Sequence, residues 1–400
     1  MLTTEAENPF GSRGEVDIAR LNGDGREGRP LTALLSDSRA AFEIGRDAES
    51  LDIPVVMSGV HYSHLANDLS VLARWPKLLL DTSRLAHLRA IEVLVGEIGA
   101  QRLLYATAPG GCPSSSLFSI IHAAISDEDK QLILRGNAAR VFGVEDAPVD
   151  LTPPALPQRI FDVHCHIDPD PSWSWSAPQP GGLGTLLASY GIQQSVASSI
   201  LAITWDLEEG NAHIVDECSK TGQLGYLVAD PNDLSRTRIV LDRWSKSFGI
   251  VGVKVHSQIA RQPTDSEVMR ELFRLLASYG LPVKIHNDGD RWSGGLKRII
   301  MDNPDLPIII AHGGPGWPTV EAAELAANSD NVYWEMSSSY AQLAEARAAV
   351  QLGHDRLMFG SDAPLLDPAF VFGTYMDAGV EIDDHGVFWG NASHLFEPVG

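Results

Sequence analysis

Ile160-Phe161-Asp162-Val163-His164-Cys165-His166 is an apolar run that ends in two histidines two residues apart. On a β-strand, residues i and i+2 project to the same face, so His164 and His166 present two imidazoles side by side. A metal ion can use that geometry. Cys165 points the other way, into the packed wall, where a thiol is inert. The pair gains weight because more histidines, and one late aspartate, end apolar runs further along the chain.

Strand-like runs follow at 159–163, 193–198, 223–228, 250–256, 282–286, 307–311, 332–336 and 356–360, with helix-like segments between them. Asp265–Tyr279 is one such helix, with Val268, Leu272, Leu275 and Leu276 at helical spacing. Strict alternation implies parallel strands joined by crossover helices, and eight of them in ~250 residues is the size of a (β/α)8 TIM barrel. A doubly wound open sheet is the competitor. No Gly-x-Gly-x-x-Gly follows the first strand, which counts against it.

In a parallel barrel the carboxyl ends of the strands share one mouth. There the chain places His164 and His166 after strand one, Lys254-Val255-His256 after strand four and Lys284-Ile285-His286 after strand five. Strand six ends in Ala311-His312-Gly313, and strand eight in Gly360-Ser361-Asp362-Ala363-Pro364. One histidine at a strand end is commonly a hydrogen-bonded structural residue, and Asp362 alone could cap a turn. The set converging on one mouth points instead to a divalent ion bound by imidazoles and one carboxylate, zinc or a neighbouring first-row metal. Lys254 reads either as a reactive lysine or as a salt-bridged one beneath the site. Glu335, after strand seven, faces either the barrel interior or the helices. Mouth loops add Trp173, Trp175, Trp205, Trp292 and Trp317 with Arg261 and Arg291; Trp173, Trp175, Arg291 and Trp317 are the candidate contacts for a flat, carboxylated substrate. Gly313-Gly314-Pro315-Gly316 lacks the lysine of a phosphate loop, and no organic cofactor is expected.

Ahead of the barrel, residues 1–34 read as a flexible arm, and four prolines within 147–157 mark a linker. Residues 35–146 repeat the end of the second segment. Ile53–Gly59 parallels Leu306–His312, and Lys77–Ser83 parallels Asn331–Ser337. Arg102–Pro109 parallels Arg356–Pro364 with one residue missing, and Gly136–Phe142 parallels Gly390–Phe396. This is a partial, degenerate α/β copy of the barrel's last three units. Gly59 stands where the second copy has His312, so chemistry is confined to residues 158–400. Three strands leave open edges, to be covered by the barrel, by a second copy in a homodimer or by a partner chain.

Composition bounds the setting. With 52 acidic and 30 basic residues among 400, the net charge is −22, which argues against nucleic-acid and anionic-membrane partners. Three cysteines form no disulfide framework, no signal peptide is visible, and no run approaches the ~20 apolar residues of a membrane span. A soluble cytoplasmic protein with a small-molecule substrate is the expectation.

Asp-x-His-x-His after strand one, histidines ending strands five and six, and Gly-Ser-Asp-x-Pro at strand eight resemble the amidohydrolase superfamily. The likeness is to the amidohydrolase-related branch that includes aminocarboxymuconate semialdehyde decarboxylase; it spans about residues 158–396, Trp389-Gly390-Asn391-Ala392 included. It implies metal ligation by His164, His166, His286 and Asp362, with one Zn2+ as the leading ion and Mn2+ or Fe2+ as others. It also implies His312 as an acid/base or substrate-polarising residue and Asp362 as the base that deprotonates water. Lys254 would be either the carboxylated lysine of two-metal relatives or a residue behind the ligands, and His256 a substrate-side residue. The expected activity is hydrolysis of an amide, cyclic imide or lactone. A nonoxidative decarboxylase or hydratase with the same ligands is the alternative, and a non-catalytic scaffold a more distant one.

Overall fold

The computed structural model describes residues 31–34, 38–49, 53–60, 65–168, 182–286, 295–313, 319–338 and 341–396. Among them no helix is long and apolar enough to cross a membrane. The chain forms two compact units, one of residues up to 154 without 110–112, the other of 110–112 and 155–400.

The first unit holds four parallel strands in the order β1 (Leu31–Leu34), β2 (Val55–Ser58), β3 (Leu78–Asp81) and β4 (Leu103–Leu104). β2 and β3 are apolar on both faces and buried almost throughout, as crossover helices on a parallel sheet require. β1 pairs with β2 along its whole length, Leu31 opposite Val55 and Leu34 opposite Ser58. The sequence reading put these four residues in a flexible arm and counted three strands, so the sheet is one strand larger than expected. Four residues carry too little alternation to be seen without a partner.

The second unit is a curled sheet of seven parallel strands in sequential order. They are β5 (Phe161–Ile167), β6 (Gln194–Ser199), β7 (Leu224–Ala229), β8 (Ile250–Val255), β9 (Val283–His286), β10 (Ile308–Ala311) and β11 (Val332–Trp334). The ends of each lie within four residues of those of a run read from the sequence. The crossover helix expected at 265–279 spans Glu267–Ala277, started by Ser266 Oγ accepting from Met269 N and burying Met269, Leu272, Phe273, Leu275 and Leu276.

The expected eighth strand at 356–360 is not a strand, yet its chain touches both sheet edges. Met358 N donates to Trp334 O on the β11 side at 2.9 Å, and Val163 N of β5 to Phe359 O at 2.9 Å. Asp362 N donates to His164 O and His166 N to Ala363 O, each at 2.7 Å. A carboxylate interrupts the ladder: Asp162, fully buried, accepts from Ser361 N at 3.0 Å and from Ser361 Oγ at 2.5 Å. Side-chain bonds of this kind compete with extended pairing. Opposite them β5 carries one extra residue between Asp162 and Cys165, a bulge of the kind that re-aims side chains beside sites.

Candidate active site

Five imidazoles form an arc along the carboxyl ends of β5, β10, β9 and β8. Ring centroids run 5.2 Å from His166 to His164, 4.8 Å on to His312, 4.6 Å to His286 and 3.7 Å to His256. The last two stack nearly parallel, at 18°. That stack follows from register: Lys254 pairs with Lys284 across β8 and β9, so the two Lys-x-His endings lie side by side. Of the sequence-predicted residues, His164, His166, His256, His286, His312, Lys254 and Asp362 are therefore neighbours. Trp173, Trp175, Arg291 and Trp317 lie outside the described residues. Trp205 is three-quarters exposed, beyond β6.

Hydrogen-bond partners set the tautomers. His164 Nδ1 donates to Glu335 Oε1 at 2.7 Å, leaving Nε2 as an acceptor, which takes a bond from Lys254 Nζ at 3.0 Å. His312 Nδ1 donates to the Ser337 carbonyl at 2.7 Å, so its Nε2 is free for chemistry. His166 lies between Ser198 Oγ at Nδ1, 3.1 Å, and Asp362 Oδ1 at Nε2, 3.0 Å. His256 Nδ1 accepts from Ile259 N, which places its proton on Nε2. His312 and Asp362 adopt left-handed backbone, φ 55° and 63°. Non-glycine residues there cost on the order of 1–3 kcal/mol each, a strain that clusters at functional sites.

Burial sets the charges. Desolvation, followed by the charge of Lys254, holds His164 well below its ordinary pKa; desolvation likewise lowers His166, His256 and His286, so these imidazoles are neutral ligands-in-waiting. Burial pushes Asp362 up, but the His166 hydrogen bond and the His312, His166 and Lys254 charges outweigh it, leaving the carboxyl below its usual range. Burial, then the neighbouring Lys284 charge, brings Lys254 down to about 7. Cys165 sits 3.9 Å from Ser361 Oγ, its thiol pushed well up by burial.

The donor set fits a divalent ion. Asp362 Oδ1 is 3.4 Å from His164 Nε2 and 3.0 Å from His166 Nε2. Ligands sharing one ion through bonds of about 2.1 Å stand roughly 3.0–3.4 Å apart. His164, His312 and Asp362 offer donor atoms all within 4.8 Å of one another. His312, expected as an acid/base or substrate-polarising residue near the metal, is one of these three. His286, expected as a ligand, sits between His312 and His256.

Two residues escaped the sequence reading. Glu335, undecided there, is fully buried and faces the site. Lys284, not singled out, is the salt-bridged lysine, 3.3 Å from Glu335 and equally buried. The sequence offers that role as one reading of Lys254, which has no ion-pair partner among the described residues. The repeated Lys-x-His was the signal available: identical endings on successive strands put both lysines on the same face.

A family profile described as "Amidohydrolase" matches residues 161–397. No curated protein matches the chain. Among solved structures, 2,6-dihydroxybenzoate decarboxylase from Rhizobium is similar at 15% identity over 62% of this chain and 100% of that one, TM-score 0.47. Dihydroxybenzoic acid decarboxylase from Polaromonas sp. JS666, with bound manganese and an inhibitor, 2-nitroresorcinol, is 16% identical over 60% and 97%, TM-score 0.46. A probable 2-pyrone-4,6-dicarboxylic acid hydrolase from Acinetobacter baumannii, with citric acid bound, is 15% identical over 59% and 98%, TM-score 0.42. The expectation of hydrolysis is corrected at this point. The similar structures are mainly decarboxylases, including those of 2,6-dihydroxybenzoate and 5-carboxyvanillate, whereas the sequence reading put hydrolysis first and decarboxylation second. The ligands expected from the motifs are the same for both reactions, so the motifs could not have chosen between them.

Proposed function

The chain belongs to the amidohydrolase family, and from that premise we propose that it is a metal-dependent decarboxylase of a small organic acid, with its site at the mouth of a (β/α)8 barrel. The segment 357–363, bonded to both β5 and β11, supports closure of the sheet as an eight-unit barrel. The observation that carries the reading is the charge of the site. The imidazoles of His164, His166 and His286 are held neutral, Glu335 is matched by Lys284, and only Asp362 opposes a divalent ion. In a chain of net charge −22, this leaves a locally positive mouth, suited to a carboxylate substrate.

His164, His166 and Asp362, with His286, would hold the ion; zinc, manganese and iron(II) each suit these donors. A bound ion would supply Lewis-acid polarisation and a fixed point for the substrate's carboxylate. The bond from carbon to carboxylate breaks, its electron pair stays on carbon, a proton is delivered there and carbon dioxide leaves. His312 carries that proton on Nε2, because Nδ1 is committed to Ser337. His256 offers Nε2–H as a donor to the substrate. Asp162 keeps β5 and the 357–363 segment aligned, so that His164, His166 and Asp362 meet.

We read the first unit as a degenerate copy of the barrel's last units. In both copies a π-helical turn runs straight into an α-helix, Leu132–Gly136 into Asn137–Phe142 and Gly386–Gly390 into Asn391–Phe396. In both, the first asparagine of that helix donates to a strand-entry carbonyl, Leu103 O or Leu357 O.

The test loads the full chain with Mn2+ or Zn2+ and presents carboxyl-13C-labelled aromatic and unsaturated acids. Labelled carbon dioxide, lost on chelation, is expected. A metal-loaded chain that releases none while cleaving lactones or amides overturns the reading.

A further inference from the structure

We infer that Glu335 is a positioning residue of the site, one carboxylate that fixes the ring of His164 and the backbone of His312 together. This rests on the metal-site reading above, but not on the reaction. Glu335 Oε1 accepts from His164 Nδ1 at 2.7 Å and from His312 N at 3.0 Å, while Lys284 Nζ lies 3.3 Å away. Its Oε2 accepts from Ser337 N at 2.6 Å. Ser337 Oγ then stands 3.2 Å from His164 Nδ1 and 3.1 Å from His312 Nδ1. The carboxylate therefore forces the His164 proton onto Nδ1 and turns Nε2 towards Asp362. It also ties down the left-handed His312 by its amide.

The chain contains its own control. In the first unit Asp81 stands where the repeat places Glu335, two residues before Ser83 as Glu335 precedes Ser337. Asp81 Oδ1 accepts from Ser83 N at 3.1 Å and Ser83 Oγ at 2.7 Å. The turn bond after the strand thus needs only an aspartate, in a unit without the histidine site. Glu335 keeps that bond and adds one methylene of reach, about 1.5 Å, which is spent on His164, His312 and Lys284. Reach, rather than the turn, is what distinguishes the two carboxylates.

Glu335→Asp therefore removes the positioning and leaves the turn. In the full chain we expect a folded protein whose affinity for Mn2+ alone, by calorimetric titration, falls about 10–100-fold, as for lost partners of metal-bound histidines. In 15N-imidazole spectra of the metal-free chain, with His164 assigned by its loss in His164→Gln, the wild type should show the Nδ1–H form. Glu335→Asp should show a shift towards Nε2–H. A folded Glu335→Asp with wild-type Mn2+ affinity and an unchanged His164 tautomer overturns the inference. So does a wild-type His164 protonated at Nε2, a measurement that stands even if the variant does not fold. A wild type that takes up no Mn2+ sinks the metal-site reading instead, with the tautomer still deciding the role of Glu335.

Discussion

Lys284→Met removes one partner of an ion pair that has no access to water. Lys284 and Glu335 are both fully buried, with Nζ and Oε1 3.3 Å apart. At an effective dielectric of about 20 that separation corresponds to roughly 5 kcal/mol of attraction. Breaking a buried pair by deleting one member costs about 3–5 kcal/mol, because the other charge is left uncompensated. Three N–H donors remain on Glu335, so the lower end of that range, about 3 kcal/mol, is expected near pH 8. The loss should shrink in acid. In the wild type, burial would raise the Glu335 carboxyl, but the Lys284 charge first, then His312 and the Ser337 bonds, hold it below its ordinary 4.5. Without Lys284 the burial effect prevails and the folded-state pKa rises above the unfolded one. The variant then keeps a proton on Glu335 that its unfolded chain has released. Its stability falls as pH climbs from the unfolded pKa through the raised folded one, so its deficit against wild type grows over that window. Urea unfolding followed by tryptophan fluorescence, at about pH 5.5 and about pH 8, measures this directly. A deficit under about 1 kcal/mol, or one that is the same at both pH values, would refute the reasoning.

Other outcomes follow from the same geometry. His166→Ala and Asp362→Ala should each lose stoichiometric metal, with affinity down more than about 100-fold, and the metal-dependent rise in melting temperature should vanish with it; metal analysis and thermal melts read both. Asp68 is buried in the helix Leu65–Arg74, its Oδ1 has no partner among the described residues, and burial pushes it up to about 7. Its folded pKa lies above the unfolded one, so it removes stability as pH rises through the interval from about 4 to about 7. Asp68→Asn should accordingly gain on wild type by about 2–4 kcal/mol near pH 8 and by less than half that near pH 5; equal effects in urea melts at the two pH values would count against it. Gly360→Ala would place a Cβ 2.9 Å from the Glu335 carboxyl carbon and Oε2, inside a packed core. It should lower stability by about 1–3 kcal/mol and weaken metal binding, whereas a melt and titration indistinguishable from wild type would show that Glu335 has room to move.

What could be read from the sequence divides along a physical line. Strand ends were legible because each run stops at a residue that differs in kind from the run: His166 after Ile160–Val163, His286 after Val283, His312 after Ile308–Ala311. Convergence of those ends needed only the rule that parallel strands share a mouth. Which way a residue faces was less accessible. β10 and β11 are buried on both sides, so period-two alternation is absent and Glu335 has no polar neighbours to reveal its side. Residues 356–360 read as a strand by composition, but just beyond them Asp162, distant in sequence, draws Ser361 out of the ladder. Substrate contacts were sought in loop aromatics, where spacing carries no geometry at all.

The two Lys-x-His endings make the same point from the other side. Lys254-Val255-His256 and Lys284-Ile285-His286 have the same spelling and lie in register on adjacent strands, so local rules assign both lysines one role. Their environments separate them. Lys284 meets Glu335 and remains a paired charge, whereas Lys254 meets His164 Nε2, the nitrogen that faces the metal position. An ion bound there would take the acceptor that Lys254 now holds. The lysine must then lose its proton or find an anion, and the substrate's carboxylate is the anion the proposed reaction brings. Lys254→Met should therefore bind metal at least as tightly as the wild type, because a competitor for Nε2 has gone. It should also raise KM for the acid about tenfold or more, the scale of one lost charge-assisted hydrogen bond. Weaker metal binding in that variant would show instead that Lys254 supports the ion, and the division of labour between the two lysines would have to be redrawn.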